Sequence, residues 1–344
     1  MKALSKASVL GGLILMTLGT VLACISLFAV DFDFHRFDNM KYTEHTTEIT
    51  EGFSEVLIYS VECDVRILPA EGDVCTVTTH DGEKITHAVT VKDGFLTVKR
   101  EDHRKWYERI GFFVGETREI TVRLPKEGYY RFAIETTSGN ITVEDGFSLK
   151  KAELRSTSGD VAFLSEVTES YYAYTVSGVQ RTGEHPVGGK HFTAKSTSGD
   201  IFIPKLGGGD AILKTTSGDI SVSASDAATL DVQTTSGDVS VSSCAGETLR
   251  IETTSGEIAL SRVDLSRKAM IVTVSGDVSM ELLDGAEIVI RTSSGDVEGT
   301  VASPKQYTVK TTSGDCRVPQ SAVTEERCSI TTVSGDVDVR CPEG

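Results

Sequence analysis

The chain has 344 residues and a net charge of −16, with 34 Lys and Arg against 50 Asp and Glu. That balance lacks the clustered cations a phosphate backbone requires and excludes nucleic acid as a partner. Thirty-two glycines and a single tryptophan, Trp106, describe a turn-rich chain with few aromatic platforms.

Ser8 to Val30 is free of charge over 23 residues, ~34 Å as a helix and long enough to cross a bilayer. Lys2 and Lys6 precede it, and Asp31 and Asp33 follow. The positive-inside rule therefore predicts a cytoplasmic N-terminus at 1–7 and a single-pass anchor at 8–30, with the bulk of the chain extracytoplasmic. The expected location is the cell membrane, reached through this helix. A cleaved signal or a lipidated Cys24 competes with that reading, but no small-x-small site follows the run, and Ile25 to Val30 stays apolar. Residues 31–50 form a polar tether.

Between 51 and 130 an alternating strand pattern begins in degenerate form. Val56, Ile58, Val65 and Ile67 keep a spacing of two on either side of Cys63. His87 to Lys99 and Ile120 to Leu124 supply further strands, as a solenoid cap would. Glu101 to Thr117 breaks the period and is expected to be an insertion. It carries Arg104, Trp106, Tyr107, Phe112 and Phe113, the candidates for contact with a partner or a membrane surface. The same composition also suits a cap over the first coil.

From 131 to 344 one unit recurs. Its Ser-Gly pair returns at Gly139, Gly159, Gly178, Gly199, Gly218, Gly237, Gly256, Gly276, Gly295, Gly314 and Gly335, at intervals of 19 to 21 residues. Counted from each glycine, positions −7, −5, +2 and +4 are apolar, as in Ala211, Leu213, Ile220 and Val222 around Gly218. Gln180 interrupts position +2, and Thr182 and Gly299 interrupt position +4. A period of two marks strands with one buried face, so each unit reads as two short strands joined at a Thr-Ser-Gly-Asp corner. Gly supplies a positive φ there, and Asp bonds the local backbone. Units this short pair with their neighbours in parallel register. The prediction is an all-β fold, a single-stranded parallel β-helix of about eleven regular coils. At ~4.8 Å per coil it makes a rod of roughly 50 Å.

The residue after the glycine stacks into an acidic column that includes Asp200, Asp219, Asp238, Asp277, Asp296 and Asp315. Neighbours ~4.8 Å apart repel by roughly 0.9 kcal/mol in water, so a bridging cation is conceivable. Calcium wants six to eight oxygens, and the Gly-Gly-x-Gly-x-Asp repeat that stacks it is missing. The plainer reading, with no metal and no cofactor, is an Asp that satisfies its own turn. Thr or Ser at −3 reads as an internal hydroxyl ladder. Seven cysteines fit no CxxC or zinc spacing. A disulfide between Cys63 and Cys75, or among Cys316, Cys328 and Cys341, stands beside the alternative of small core residues. No nucleophile elbow, phosphate loop or metalloprotease motif occurs, so no catalytic residue is assigned and an enzyme is not expected.

The apolar N-terminal run, Asp31-Phe32-Asp33-Phe34, Arg104-Lys105-Trp106-Tyr107, the Arg118–Pro125 strand and the recurring Thr-Thr-Ser-Gly-Asp resemble one family. It is the bacterial β-strand-repeat "putative adhesin" family of unknown function, common in Gram-positive envelopes. The resemblance spans nearly the whole chain and implies a right-handed solenoid with no catalytic residues to carry over. Val179 in place of Asp departs from its pattern at one corner. The expected function is a non-enzymatic, membrane-anchored envelope module that binds a protein or glycan. The alternative is an accessory subunit, regulatory or sensory, of an envelope-stress or membrane-protein complex, and a polysaccharide-acting enzyme comes last.

Overall fold

The computed structural model describes residues 11–12, 15–22, 24, 42–106, 118–126 and 128–342. The repeats build an all-β solenoid of about eleven turns. Leu213 lies between Ala194 and Val232 in one parallel ladder, and Ile220 between Ile201 and Val239 in the next. The side chains at −7, −5, +2 and +4 fill one continuous core running the length of the stack. A slip of one residue would turn Lys214 inward and Leu213 outward, so alternation enforces the register. At the exceptional coil the buried Gln180 amide donates to Thr175 Oγ1 at 3.0 Å and to the Lys195 carbonyl at 2.5 Å.

Each middle coil has a third side that the alternating pattern conceals. Position +7 forms a ladder of its own through Leu206, Ser225, Cys244, Val263 and Leu283, which Val187, at +9 in its longer coil, extends. The bend into it is made at +6 by Ala224, Ser243, Arg262 and Leu282, with φ of 44°, 53°, 52° and 58°. Left-handed backbone thus sits at this second corner, on residues with a Cβ.

The corner glycines are needed for a different reason from the one expected. Of the eleven, Gly314 alone has a φ in the left-handed range, at 154°. A Cβ on Gly237 would stand 1.8 Å from the Gly218 carbonyl oxygen, and one on Gly256 1.9 Å from that of Gly237. Close approach of successive backbones, not positive φ, selects glycine.

Both ends of the rod depart from sequence order. Val56 and Ile58 stack on Phe132 and Ile134, and Val65 and Ile67 on Ile141 and Val143, so Cys63 does occupy a corner. The coil outside it comes from later residues, Phe95–Asp102 and Glu119–Leu124. Antiparallel strands cover this end: Cys75–Gly82 lies on Glu119–Leu124, and Ile85–Lys92 on Phe95–Asp102. Tyr42–Ile49, placed in the expected tether, is a strand against Cys75–Gly82. At the other end Arg327–Thr331 and Val337–Arg340 lie between the Gly295 coil and the coil of Gln306–Lys310 and Cys316–Arg317. The buried Lys305 ammonium pins the returning loop, donating to Asp284 Oδ1 at 2.5 Å, to Ser303 Oγ at 2.7 Å and to Glu326.

The expected membrane anchor is corrected. Among the described residues, helix covers 11–12, 15–22 and 24, and no helix is long and apolar enough to cross a membrane. Eight residues of helix reach about 12 Å against a hydrocarbon core of ~30 Å, whereas the expectation counted the whole uncharged run as one helix. The single-pass location and the membrane contact through that helix fall with it.

Candidate functional site

The corner face is exposed at Thr, Ser and Asp (positions −2, −1 and +1), while the glycine itself is buried. Its acidic column is a hydrogen-bond ladder. The Asp238 amide donates to Asp219 Oδ1 at 2.8 Å, and the Asp219 amide to Asp200 Oδ1 at 2.9 Å. Asp296 receives Asp336, and Asp336 receives Asp315, which follows the swapped coil order at that end. Each Asp caps the next coil rather than its own turn. Val179 has no acceptor to offer and breaks the sequence of bonds. Among the described residues, no group of three or more His, Cys, Asp or Glu comes together to hold a metal ion. Beneath this face the buried −3 hydroxyls donate from coil to coil, as Thr215 and Thr234 do to the carbonyls of Gly199 and Gly218 at 3.2 Å.

The described residues of the insertion, 101–106, lead out of Phe95–Asp102 on the outermost coil. Arg104 turns inward, its guanidinium bonded to both Asp102 oxygens at 2.9 and 2.8 Å. Those bonds hold the Asp102 carboxyl well below the usual carboxylate range. Trp106 is 75 % exposed. Tyr107, Phe112 and Phe113 lie outside the described residues.

Beside it a thiol, an imidazole and a carboxylate come together, an arrangement not visible in the sequence. Cys63 Sγ is 3.9 Å from His87 Nε2, and His87 Nδ1 is 2.7 Å from Asp81 Oδ1. The order matches a nucleophile, a base and its orienting acid. The chemistry does not follow, because Cys63 and His87 are buried and desolvation pushes the thiol up rather than toward thiolate. All seven cysteines are free, including the pairs considered for disulfides. Burial likewise raises Cys75 and Cys244 to about 11 and Cys328 to about 12.

The outer surface also carries a groove of about 520 Å³ that crosses six coils between positions −4 and −2. Tyr174, Lys195, Lys214, Gln233 and Glu252 form one wall, and Thr216, among other corner hydroxyls, lies opposite. Alternation marks these positions only as outward-facing, so their identity carries no fold signal and nothing in the sequence singles them out as a site.

A family model covers residues 53–288 and 283–344, nearly the whole described solenoid. The chain belongs to the Toastrack DUF4097 family. No curated protein matches it significantly. Solved structures resemble this Toastrack chain at low identity. One from Parabacteroides distasonis ATCC 8503, called a "putative lipid binding protein", is 13% identical with a TM-score of 0.37, over 87% of this chain and 97% of that one. A "putative adhesin" from Parabacteroides merdae ATCC 43184 is 12% identical with a TM-score of 0.36, over 87% and 96%. Another "putative adhesin" from P. distasonis ATCC 8503 is 12% identical with a TM-score of 0.38, over 88% and 98%.

Proposed function

We propose that this Toastrack chain is a non-enzymatic, adhesin-like scaffold that binds an extended partner along its outer surface. The open groove across six coils supports the reading, because a linear partner can meet equivalent positions at each step of ~4.8 Å. The corner Asp carboxylates and the buried −3 hydroxyls are spent on holding coils together, which leaves the strand faces and the outer corner hydroxyls for recognition. The test is retention of the purified protein on an array of neutral and acidic glycans and on intact cell surfaces. Saturable retention on any of these is expected. Retention on none, or release of reducing ends from the glycans, overturns the reading. The exposed Trp106 favours a second reading, an accessory subunit docked through the insertion on a protein partner. That reading predicts that Trp106→Ala abolishes capture of protein partners and leaves glycan retention intact.

A further inference from the structure

The groove is uneven in charge, and the unevenness selects a ligand class within the reading above, on which this inference rests. At one end of the groove Tyr174, Lys195 and Lys214 stand in successive coils at the same position, −4, with Arg155 one coil beyond its lining. The Lys195 and Lys214 ammonium groups form no ion pair with any described residue, although the chain carries a net charge of −16. Several other cations along the rod are paired. Arg131 pairs with Glu55 at 2.8 Å, Arg66 with Glu144 at 2.8 Å and Lys268 with Glu287 at 3.0 Å. Like charges stacked coil upon coil repel, and an anion between them removes that cost. Beside them the Arg155 guanidinium lies 4.9 Å from the centre of the Tyr172 ring, leaving the Tyr174 phenol at the groove itself. Farther along, the Gln233 amide nitrogen donates to both Asp231 oxygens at 3.1 and 3.2 Å, which leaves the Gln233 carbonyl oxygen and the Thr216 hydroxyl to match sugar hydroxyls.

We propose that this groove binds a linear uronic-acid polysaccharide, its chain running along the rod axis. Lys195 and Lys214 would pair with carboxylates, Tyr174 would pack against a sugar ring, and Gln233 would bond ring hydroxyls. A sugar polymer fits better than a flexible polyol phosphate because Tyr174 offers a flat face that only a ring can use. Glu252 at the far end confines the paired carboxylates to the Lys195 and Lys214 half of the groove.

The experiment is titration calorimetry of the full chain with a galacturonate hexamer, a neutral xylose hexamer and a glycerol phosphate polymer, at low and high salt. Binding of the galacturonate hexamer alone is expected, weakening with salt. The K195E/K214E double variant should bind it at least about tenfold more weakly, as expected for loss of paired charges, and Tyr174→Ala should also weaken it. Lys92→Glu, at the exposed end of the Ile85–Lys92 strand far from the groove, should leave it unchanged. Thermal unfolding of each variant establishes that it is folded. Equal binding by K195E/K214E, or preference for the xylose hexamer or the phosphate polymer, overturns the inference while the scaffold reading stands. If none of the three binds, the inference also falls, and the array and cell-surface result then decides the scaffold reading on its own.

Discussion

Replacing Gly237 with Ala tests the packing logic of the whole rod. The new Cβ would lie 1.8 Å from the Gly218 carbonyl oxygen and 2.5 Å from its carbon, where ordinary contact begins at 3.4 Å. The corner must therefore open by roughly 1.6 Å, the difference between those two oxygen distances. Three hydrogen bonds cross there: Thr235 and Ser236 amides to the Thr216 carbonyl at 3.2 and 3.0 Å, and Asp238 to Asp219 at 2.8 Å. Losing them costs about 0.5–1.5 kcal/mol each, and overpacking adds about 1–3 kcal/mol, so roughly 2.5–7.5 kcal/mol is expected. Gly285→Ala is the control, since its Cβ would meet the Leu265 carbonyl oxygen at 3.5 Å, an ordinary contact. Urea unfolding should show a large drop in midpoint for Gly237→Ala and a change within about 0.5 kcal/mol for Gly285→Ala. Because coils hold only their neighbours, the transition of the first variant should also broaden or split. Indistinguishable midpoints for the two variants would refute the claim that close approach selects glycine.

Asp219→Ala removes the acceptor for the Asp238 amide and should cost about 1–2 kcal/mol in urea unfolding, while Asp219→Asn, which keeps an oxygen, should cost less. Leu282→Gly relieves a left-handed φ of 58° and should be neutral or stabilising by about 0.5 kcal/mol, whereas Leu282→Val should destabilise, as calorimetric melting would show. Burial alone would raise Asp284, but the Lys305 and Ser303 hydrogen bonds outweigh it and hold it below its usual range. Burial opposes the charge on Lys305, yet its bonds to Asp284 and Glu326 raise it. The lowered carboxyl stabilises above its unfolded pKa of about 3.9 and loses its contribution as pH falls through the folded value. The raised ammonium stabilises below about 10.4 and loses its contribution as pH rises through its own. Protection of the Gln306 and Ala322 amides against exchange, relative to unstructured amides at the same pH, should therefore be greatest between those limits, fall beyond them, and be lower at all pH values in Lys305→Met.

Two of the three sides, their register and the Cys63 coil were legible because alternation with period two is the direct imprint of a buried face. The third side was not, since Ser225 and Cys244 share its ladder with Val and Leu and give no periodic contrast. The role of the corner Asp was half legible: the residue type announced a local acceptor, but only stacking reveals that it serves the following coil. Coil order at the ends was invisible, because equivalent units carry interchangeable patterns and nothing in Tyr307 or Cys328 tells which lies outside. The groove residues were visible as letters but not as a site. Outward positions are free to vary without changing the fold, and meaning there comes only from adjacency across coils.

The tucked ends bear on how the rod would carry a load. A pull entering through the segment after Arg340 acts on a coil bonded on both faces, to the Gly295 coil above and the Gly314 coil below. That coil cannot be unzipped one bond at a time from a free edge. Its two ladders must slide together, in shear, and the outermost coil remains fastened to the Lys305 clasp meanwhile. The coil around Cys63 is held between two others in the same way. A rod locked in this manner resists peeling at the Arg340 end, the property a tether under tension requires, whereas Tyr42–Ile49 is bonded on one side only among the described residues.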